Sequence, residues 1–371
     1  MKVPMLDLTE QYQELKAQII PALDDVMSNA HFILGDNVKK LEKDVAEYSN
    51  SKHGIGVANG SDALNIALLG CDVKPGDEVI VPSFTFFATA GAVARMGAVP
   101  VFVDIDPKTF NIAPNAIEKA ITPKTKAIIP VHLYGQMADM DAIKAIANKH
   151  NLYIIEDAAQ AIGALYKDKK VGELATAACY SFFPTKNLGA YGDAGMIISS
   201  DDEIAEKIRV LRVHGSKPKY YHHVLGYNSR LDELQAAILN VKFPHLNDWS
   251  EKRIQKARTY TQLLQELVGE HVVTPYQEEF NHHVYHQYTI RVQKRDELQA
   301  YLKEQGVATM VYYPKPLHLQ PVFAELGYKE GDLPETEKAA LEAISLPMFP
   351  ELKTEQQQYV VEKIREFYQK N

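Results

Sequence analysis

One lysine stands where it could act as a nucleophile. Lys186 follows the apolar run Ala177 to Phe183, inside Ser181-Phe182-Phe183-Pro184-Thr185-Lys186-Asn187-Leu188-Gly189. Burial disfavours the ammonium form of a lysine and lowers its pKa towards the free amine. A free amine can attack a carbonyl and form a Schiff base. With 40 Lys and Arg residues in the chain, a surface-loop lysine is the competing reading, so its company decides. Asn59-Gly60-Ser61-Asp62-Ala63-Leu64 follows a predicted strand and opens a predicted helix. There the glycine permits a tight turn, and the amides of Ser61 and Asp62 with the Ser61 hydroxyl form an anion site suited to a phosphate. The same residue types make an ordinary helix cap. The glycine spacing matches neither a dinucleotide fingerprint nor a Walker motif. Ile154-Ile155-Glu156-Asp157-Ala158-Ala159-Gln160 puts Asp157 at the carboxyl end of an apolar strand, where open α/β sheets bind ligands. A carboxylate there could pair with a ring nitrogen or cap a helix. Lys186 lies 29 residues beyond Asp157 (186 − 157), which suits one more strand and its return. Ser181 could add a second phosphate ligand. Finally, Gly226-Tyr227-Asn228-Ser229-Arg230-Leu231-Asp232-Glu233 is a polar loop running into an amphipathic helix. Ser229 with Asp232 and Glu233 resembles a capping pattern, which leaves the preceding polar residues for a ligand or a partner chain.

Positioning these groups requires an α/β scaffold, and the hydrophobic pattern predicts one. Residues 1–50 read as two helices, with Leu15, Ile19, Leu23 and Val26 and then Val38, Leu41 and Val45 at helical spacing. From residue 54, seven apolar runs alternate with helical segments at 61–70, 86–96, 113–121 and 137–150. The runs are 54–58, 78–81, 99–103, 127–131, 153–156, 178–182 and 194–198. Near-continuous apolar strands alternating with helices predict a mostly parallel sheet covered on both faces, a three-layer α/β/α sandwich. After about residue 240 the alternation stops. A long helix at 246–268, a half-exposed strand at 285–292, and helices near 295–305, 335–344 and 354–369 predict a smaller α+β domain. The expected domains are residues 1–245 and 246–371, since 371 residues exceed what one core usually serves.

The net charge of −8 argues against a nucleic-acid or anionic-membrane partner. Cys71 and Cys179, each in apolar surroundings, read as free buried thiols. No apolar run reaches the ~18 residues of a membrane span and the N-terminus lacks a signal-peptide core, so a cytoplasmic location is expected. His222-His223 and His282-His283 with His286 suggest a metal site. Adjacent histidines on an extended chain point to opposite sides, however, and no helical H-E-x-x-H spacing occurs, so no metal is expected.

Phosphate site, acidic residue and strand-end lysine, in that order, describe a pyridoxal 5′-phosphate pocket. The chain resembles the DegT/DnrJ/EryC1/StrS family of sugar-nucleotide aminotransferases, which have the aspartate aminotransferase fold (fold type I). The resemblance rests on Pro82-Ser83-Phe84-Thr85-Phe86, Val131-His132-Leu133-Tyr134-Gly135-Gln136, Glu156 to Gln160, Ser181 to Gly189, Gly226 to Ala237, Pro314-Lys315-Pro316-Leu317-His318 and Leu346-Pro347-Met348-Phe349-Pro350. It implies that Lys186 carries the covalent link to the cofactor and moves a proton. It also implies that Asp157 pairs with the pyridinium nitrogen, Gln160 approaches the phenolic oxygen and Phe86 stacks on the ring. Gly60, Ser61 and Ser181 would hold the phosphate, joined by Asn228 of a neighbouring subunit in a homodimer. A dehydratase branch of the family carries histidine in place of the lysine, so Lys186 favours transamination.

By the same resemblance, L-glutamate loads the cofactor as pyridoxamine 5′-phosphate and a keto-sugar nucleotide accepts the amine. The run Lys186 to Asp193, which includes Tyr191, resembles members that aminate 3-keto sugars, and Gly226 to Glu233 resembles those handling dTDP-3-oxo-6-deoxyhexoses. Ala194 replaces a frequent glycine, and Tyr312-Tyr313 replaces a frequent His-Tyr pair near the sugar. Lys217 to His223, with Lys219 and Tyr221, sits where a loop would meet the nucleotide diphosphate or simply turn in solvent. Tyr191, Lys219, Tyr221, Tyr312, Tyr313 and His318 are the expected substrate contacts. The competing readings are a 4-keto-sugar or UDP-3-oxo-uronic-acid aminotransferase of the same family, and a non-catalytic cofactor-binding regulator.

Overall fold

The computed structural model describes residues 1–370. Helices α1 (Thr9–Asn29) and α2 (Asp36–Tyr48) bury Leu15, Ile19 and Val26 and then Val38, Leu41 and Val45, as their spacing requires. The alternating region follows with β1 (His53–Val57), α3 (Gly60–Gly70), β2 (Glu78–Pro82), α4 (Ala88–Arg95), β3 (Val99–Val103), α5 (Pro114–Ala120), β4 (Thr125–Ile128), α6 (Met140–His150) and β5 (Tyr153–Asp157). Short strands β6 (Leu165–Tyr166) and β7 (Lys169–Lys170) precede β8 (Ala177–Ser181) and β9 (Gly195–Ser199). Helices α7 (Asp202–Leu211) and α8 (Glu233–Lys242) complete this part.

All seven apolar runs join one sheet in the order β1-β9-β8-β5-β4-β2-β3. Its pairs are parallel except that β9 runs antiparallel to both β1 and β8. Side chains of a strand alternate between faces, and the two faces feed separate cores. Ile80, Ile128, Ile154 and Ala178 pack with residues of α2, α5, α6 and α8. Their neighbours Val79, Val81, Ala127, Ile155 and Ala177 pack with residues of α3, α4 and α7. A sheet covered by helices on both faces is the predicted three-layer sandwich.

The remaining elements are α9 (Leu246–Leu264), β10 (Val272–Val273), β11 (Asn281–His282), β12 (Tyr288–Val292), α10 (Arg295–Glu304), α11 (Pro334–Glu342), β13 (Ala343–Leu346) and α12 (Thr354–Lys370). Antiparallel β10-β12-β13 with α9, α10 and α12 encloses a third core around Tyr260, Tyr288, Ile290, Leu298 and Ile364. Val3 belongs to it too, exchanging backbone hydrogen bonds of 2.9 Å with Gly306 and Ala308. We therefore propose residues 246–371 as the smaller domain, with the first residues of the chain crossing back onto it.

Three sequence expectations are corrected. Strand β12 is buried at all five positions instead of half-exposed. Tyr288, Ile290 and Val292 face the third core, while Thr289 bonds Ser345 and Arg291 pairs with Glu342 and the Pro107 carbonyl. The helix expected at 335–344 stops at Glu342 because Ala343 to Leu346 pair with β12 instead. The capping pattern of α8 does not form. The Ser229 hydroxyl accepts from the Ala58 amide at 3.1 Å. The buried Glu233 carboxylate caps another helix, accepting from the amides of Gly35 (2.9 Å), Asn37 (2.6 Å) and Val38 (3.3 Å) at the start of α2.

Candidate active site

The carboxyl ends of the parallel strands gather the chemistry. Asp157 ends β5 and is 6% exposed. Its Oδ2 accepts from Thr89 Oγ1 at 2.8 Å and its Oδ1 from the Ala159 amide at 3.2 Å. Having donated its proton to Asp157, Thr89 accepts from Thr85 Oγ1 at 3.2 Å. Burial raises the Asp157 pKa, and the Thr89 and Ala159 hydrogen bonds with the positive charge of Lys186 oppose that rise. A second cation beside this carboxylate would hold it ionised, which is what a protonated ring nitrogen supplies.

Lys186 lies in the loop after β8, its amide donating to the Phe183 carbonyl at 2.8 Å. The residue as a whole is half-buried. Burial lowers its pKa to about 8, with the Asp157 charge opposing. At pH 7 roughly a tenth of such a lysine is free amine, about three hundred times more than at the ordinary value.

The start of α3 is pressed onto these strand ends. A Cβ on Gly60 would come within 2.7 Å of the Ser181 Cβ, and one on Gly195 within 2.5 Å of the Asn59 carbonyl. This close approach brings Gly60, Ser61 and Ser181 together at a helix N-terminus, a cradle suited to a phosphate. Of the two amides predicted to serve it, that of Asp62 is taken by the capping Asn59 side chain at 2.8 Å. The Ser61 amide and hydroxyl remain for a ligand. The donor set of lowered lysine, buried carboxylate and helix-end serines fits pyridoxal 5′-phosphate.

Over residues 13–365 the chain matches the DegT/DnrJ/EryC1/StrS aminotransferase family. The chain belongs to this family. A Geobacillus stearothermophilus protein named pleiotropic regulatory protein is 73% identical over 368 residues, 99% of each chain. The UDP-N-acetyl-3-dehydro-α-D-glucosamine 3-aminotransferase of Acidithiobacillus ferrooxidans is 48% identical over 95% of each chain. A dTDP-3-amino-3,4,6-trideoxy-α-D-glucose transaminase of Streptomyces venezuelae is 42% identical, covering 99% of this chain and 96% of its own. The crystal structure of S. venezuelae DesV, 42% identical, superposes with a TM-score of 0.95 over 99% of this chain and 98% of that one. The chain is thus a pyridoxal phosphate-dependent aminotransferase acting on sugar nucleotides.

In this DegT/DnrJ/EryC1/StrS aminotransferase, Gln160 joins the Asp157 side of the site. Its Oε1 accepts from the Tyr134 amide at 2.6 Å and its Nε2 donates to the Tyr313 hydroxyl at 3.4 Å. The Tyr313 ring lies 6.2 Å from that of Phe86, which is 57% exposed. Phe86, Gln160 and Tyr313 therefore line the same mouth, with Tyr312 beside Tyr313 and its carbonyl accepting from the Tyr134 hydroxyl. Asn228 is exposed and faces a polar cavity of about 510 Å³ shared with Asn59, Asp193 and Arg230 of its own chain.

Other expected substrate contacts lie apart from it. His318 is 1% exposed, bonded through Nδ1 to Ser83 Oγ (2.7 Å) and through Nε2 to Glu337 (3.2 Å), and offers no surface to a sugar. Tyr191 packs behind the lysine loop against Tyr12 of α1. Lys219 and Tyr221 project into solvent on the 217–225 loop. The sequence reading missed Thr89, a polar residue in the small-residue run Ala88 to Ala94. His286, weighed in the sequence only as a metal ligand, instead places its Nδ1 3.1 Å from Asn187 Oδ1, next in sequence to the lysine. A polar side chain among the small residues of α4 was the available signal for Thr89; the histidine cluster gave none for the contact of His286 with Asn187.

Proposed function

We propose that the enzyme aminates the C3 ketone of a nucleotide-linked sugar, converting a dTDP-3-oxo-6-deoxyhexose to the dTDP-3-amino-3,6-dideoxyhexose with L-glutamate as donor. What carries the reading is Lys186, with its lowered pKa, set beside buried Asp157 at the open end of the sheet. When bound, pyridoxal phosphate supplies an electron sink for the carbanion left by proton loss from the donor carbon. The chain's part is to hold and move protons. Asp157, held by Thr89 and Ala159, would keep the ring nitrogen cationic, and Lys186 Nζ would take the proton from one carbon and return it to the other. Gly60, Ser61 and Ser181 anchor the phosphate end and Phe86 covers the ring. We also infer that two copies pair, with Asn228 and the 217–225 loop serving the neighbouring site.

The C3 assignment agrees with the activities for which both the A. ferrooxidans and the S. venezuelae relatives are named. They differ in both the nucleotide and the sugar, and the A. ferrooxidans relative favours a UDP-linked 3-oxo sugar as the second reading. The name of the G. stearothermophilus relative raises a regulatory role beside the amino transfer. The test is incubation of the holoenzyme with glutamate and dTDP- or UDP-linked 3-keto or 4-keto sugars in turn, with NMR of the product. Amine at C3 of the dTDP sugar is expected. Product from UDP sugars alone, or at C4, would replace the substrate assignment, and no product from any would move it to a different keto-sugar nucleotide.

A further inference from the structure

Behind the loop that carries Lys186 lies a second buried lysine. Lys242, the last residue of α8, is 1% exposed and forms no ion pair among the described residues. Its Nζ donates to the Gly189 carbonyl, and lies 4.9 Å from the Tyr191 ring centroid and 5.9 Å from that of Trp249. Burial lowers its pKa to about 8, with only the distant charge of Glu351 opposing. Burying an ammonium without a carboxylate is costly, and an apolar side chain of similar volume would pack there at least as well. A lysine here is therefore best explained by what it holds.

What it holds is the far side of the turn containing Lys186. The Lys186 amide bonds the Phe183 carbonyl and the Ala190 amide bonds the Phe182 carbonyl, both at 2.8 Å. Between them Gly189 is packed so tightly that a Cβ would lie 2.3 Å from the Pro184 carbonyl oxygen. Displacing Gly189 displaces Pro184 and with it the turn that aims Lys186. The same helix grips the loop once more, the Gln235 Oε1 accepting from the Tyr191 amide at 2.9 Å.

We propose that Lys242 is a positioning residue for the amino transfer, fixing through the Gly189 carbonyl the backbone that aims Lys186 into the site. The inference rests on Lys186 being the lysine that bonds the cofactor. The decisive variant is Lys242→Met, close to lysine in length but without a donor. In the holoenzyme it lowers kcat by ~10-fold or more, as small misplacements of a reacting group do, with KM for the keto sugar within about twofold. The pH midpoint of the lysine-bound cofactor's near-visible band moves, and so does the rate at which Lys186 of the apoprotein is labelled by an amine reagent at pH 8. Lys242→Arg, which keeps a donor, restores most of kcat. Wild-type kcat, band midpoint and labelling in Lys242→Met would overturn the proposal. So would a lowered kcat with both other readouts unchanged, or Lys242→Arg as impaired as Lys242→Met. If Lys242→Met does not fold, Lys242→Gln, which keeps an amide but is too short to reach Gly189, is judged by the same criteria. A Lys186→Ala control separates the premises: retention of the band there removes the cofactor role of Lys186, whatever Lys242 does.

Discussion

The molecule contains two buried lysines whose pKa values are lowered alike, to about 8, and which do opposite things with the same desolvation. Lys186 as a whole residue is half-buried and has a buried carboxylate, Asp157, as its counter-charge. Lys242 is sealed, its ammonium set against a carbonyl and two aromatic rings. A lowered pKa is thus no signature of a reacting lysine by itself. The opening beside it decides whether the free amine can reach a substrate.

The comparison breaks most sharply at Lys186. Lys186→Ala is expected to abolish the lysine-bound cofactor band and lower kcat by ~10⁴-fold, the upper range for loss of a general acid–base group, as read by absorbance and steady-state turnover. Asp157→Asn comes next. It removes the charge that raises the Lys186 pKa, so in the apoprotein that pKa falls below about 8, measured by pH-dependent labelling of Lys186. It also removes the charge facing the ring nitrogen, and kcat/KM drops by ~10²–10³-fold, the scale of losing one well-placed electrostatic partner.

The sealing of Lys242 is also readable in the pH dependence of stability. A buried lysine with folded pKa about 8 and unfolded pKa near 10.5 binds fewer protons when folded. Its burial cost is therefore fully present below pH 8 and fades as pH rises towards 10.5. For sealed Lys242 that cost is on the order of 3 kcal/mol. The stability of Lys242→Met relative to wild type should thus be most favourable below pH 8 and decline over the next two and a half units, measured by urea unfolding across pH. Glu233→Ala gives the smallest effect expected here. It uncaps α2 at one end of the helix that carries Lys242, and a loss of about 1–2 kcal/mol is expected in the same unfolding assay.

The sequence displays the lysine proposed to react and hides the one proposed to anchor it. Lys186, Asp157, Gly60 and Ser181 are legible because strand ends and helix starts announce themselves locally. Lys242 sits on α8, which reads as an ordinary amphipathic helix, and the carbonyl it binds is 53 residues away. His286 is 99 residues from Asn187. Local pattern also misleads where distant partners compete: Glu233 looks like part of a cap for its own helix but serves amides nearly 200 residues earlier. His318 lies within a family-like motif, yet sequence order cannot say that its ring turns inward to Ser83 and Glu337. The seven-strand sheet was readable throughout because its strands are apolar on both faces. β12 was misjudged because its polar face is buried by ion pairing and hydrogen bonding.

Helix α8 begins with Glu233 fastened to α2 and ends with Lys242 fastened to the lysine loop. Nine residue steps of 1.5 Å separate these anchors by about 14 Å, and each added residue turns the far end by about 100°. The helix therefore has a fixed length as well as a fixed sequence at its ends. Its middle is fixed as well, since Ala236, Ala237, Ile238 and Leu239 are buried, and inserting or deleting one residue would swing Lys242 away from Gly189 and release the turn on which Lys186 sits.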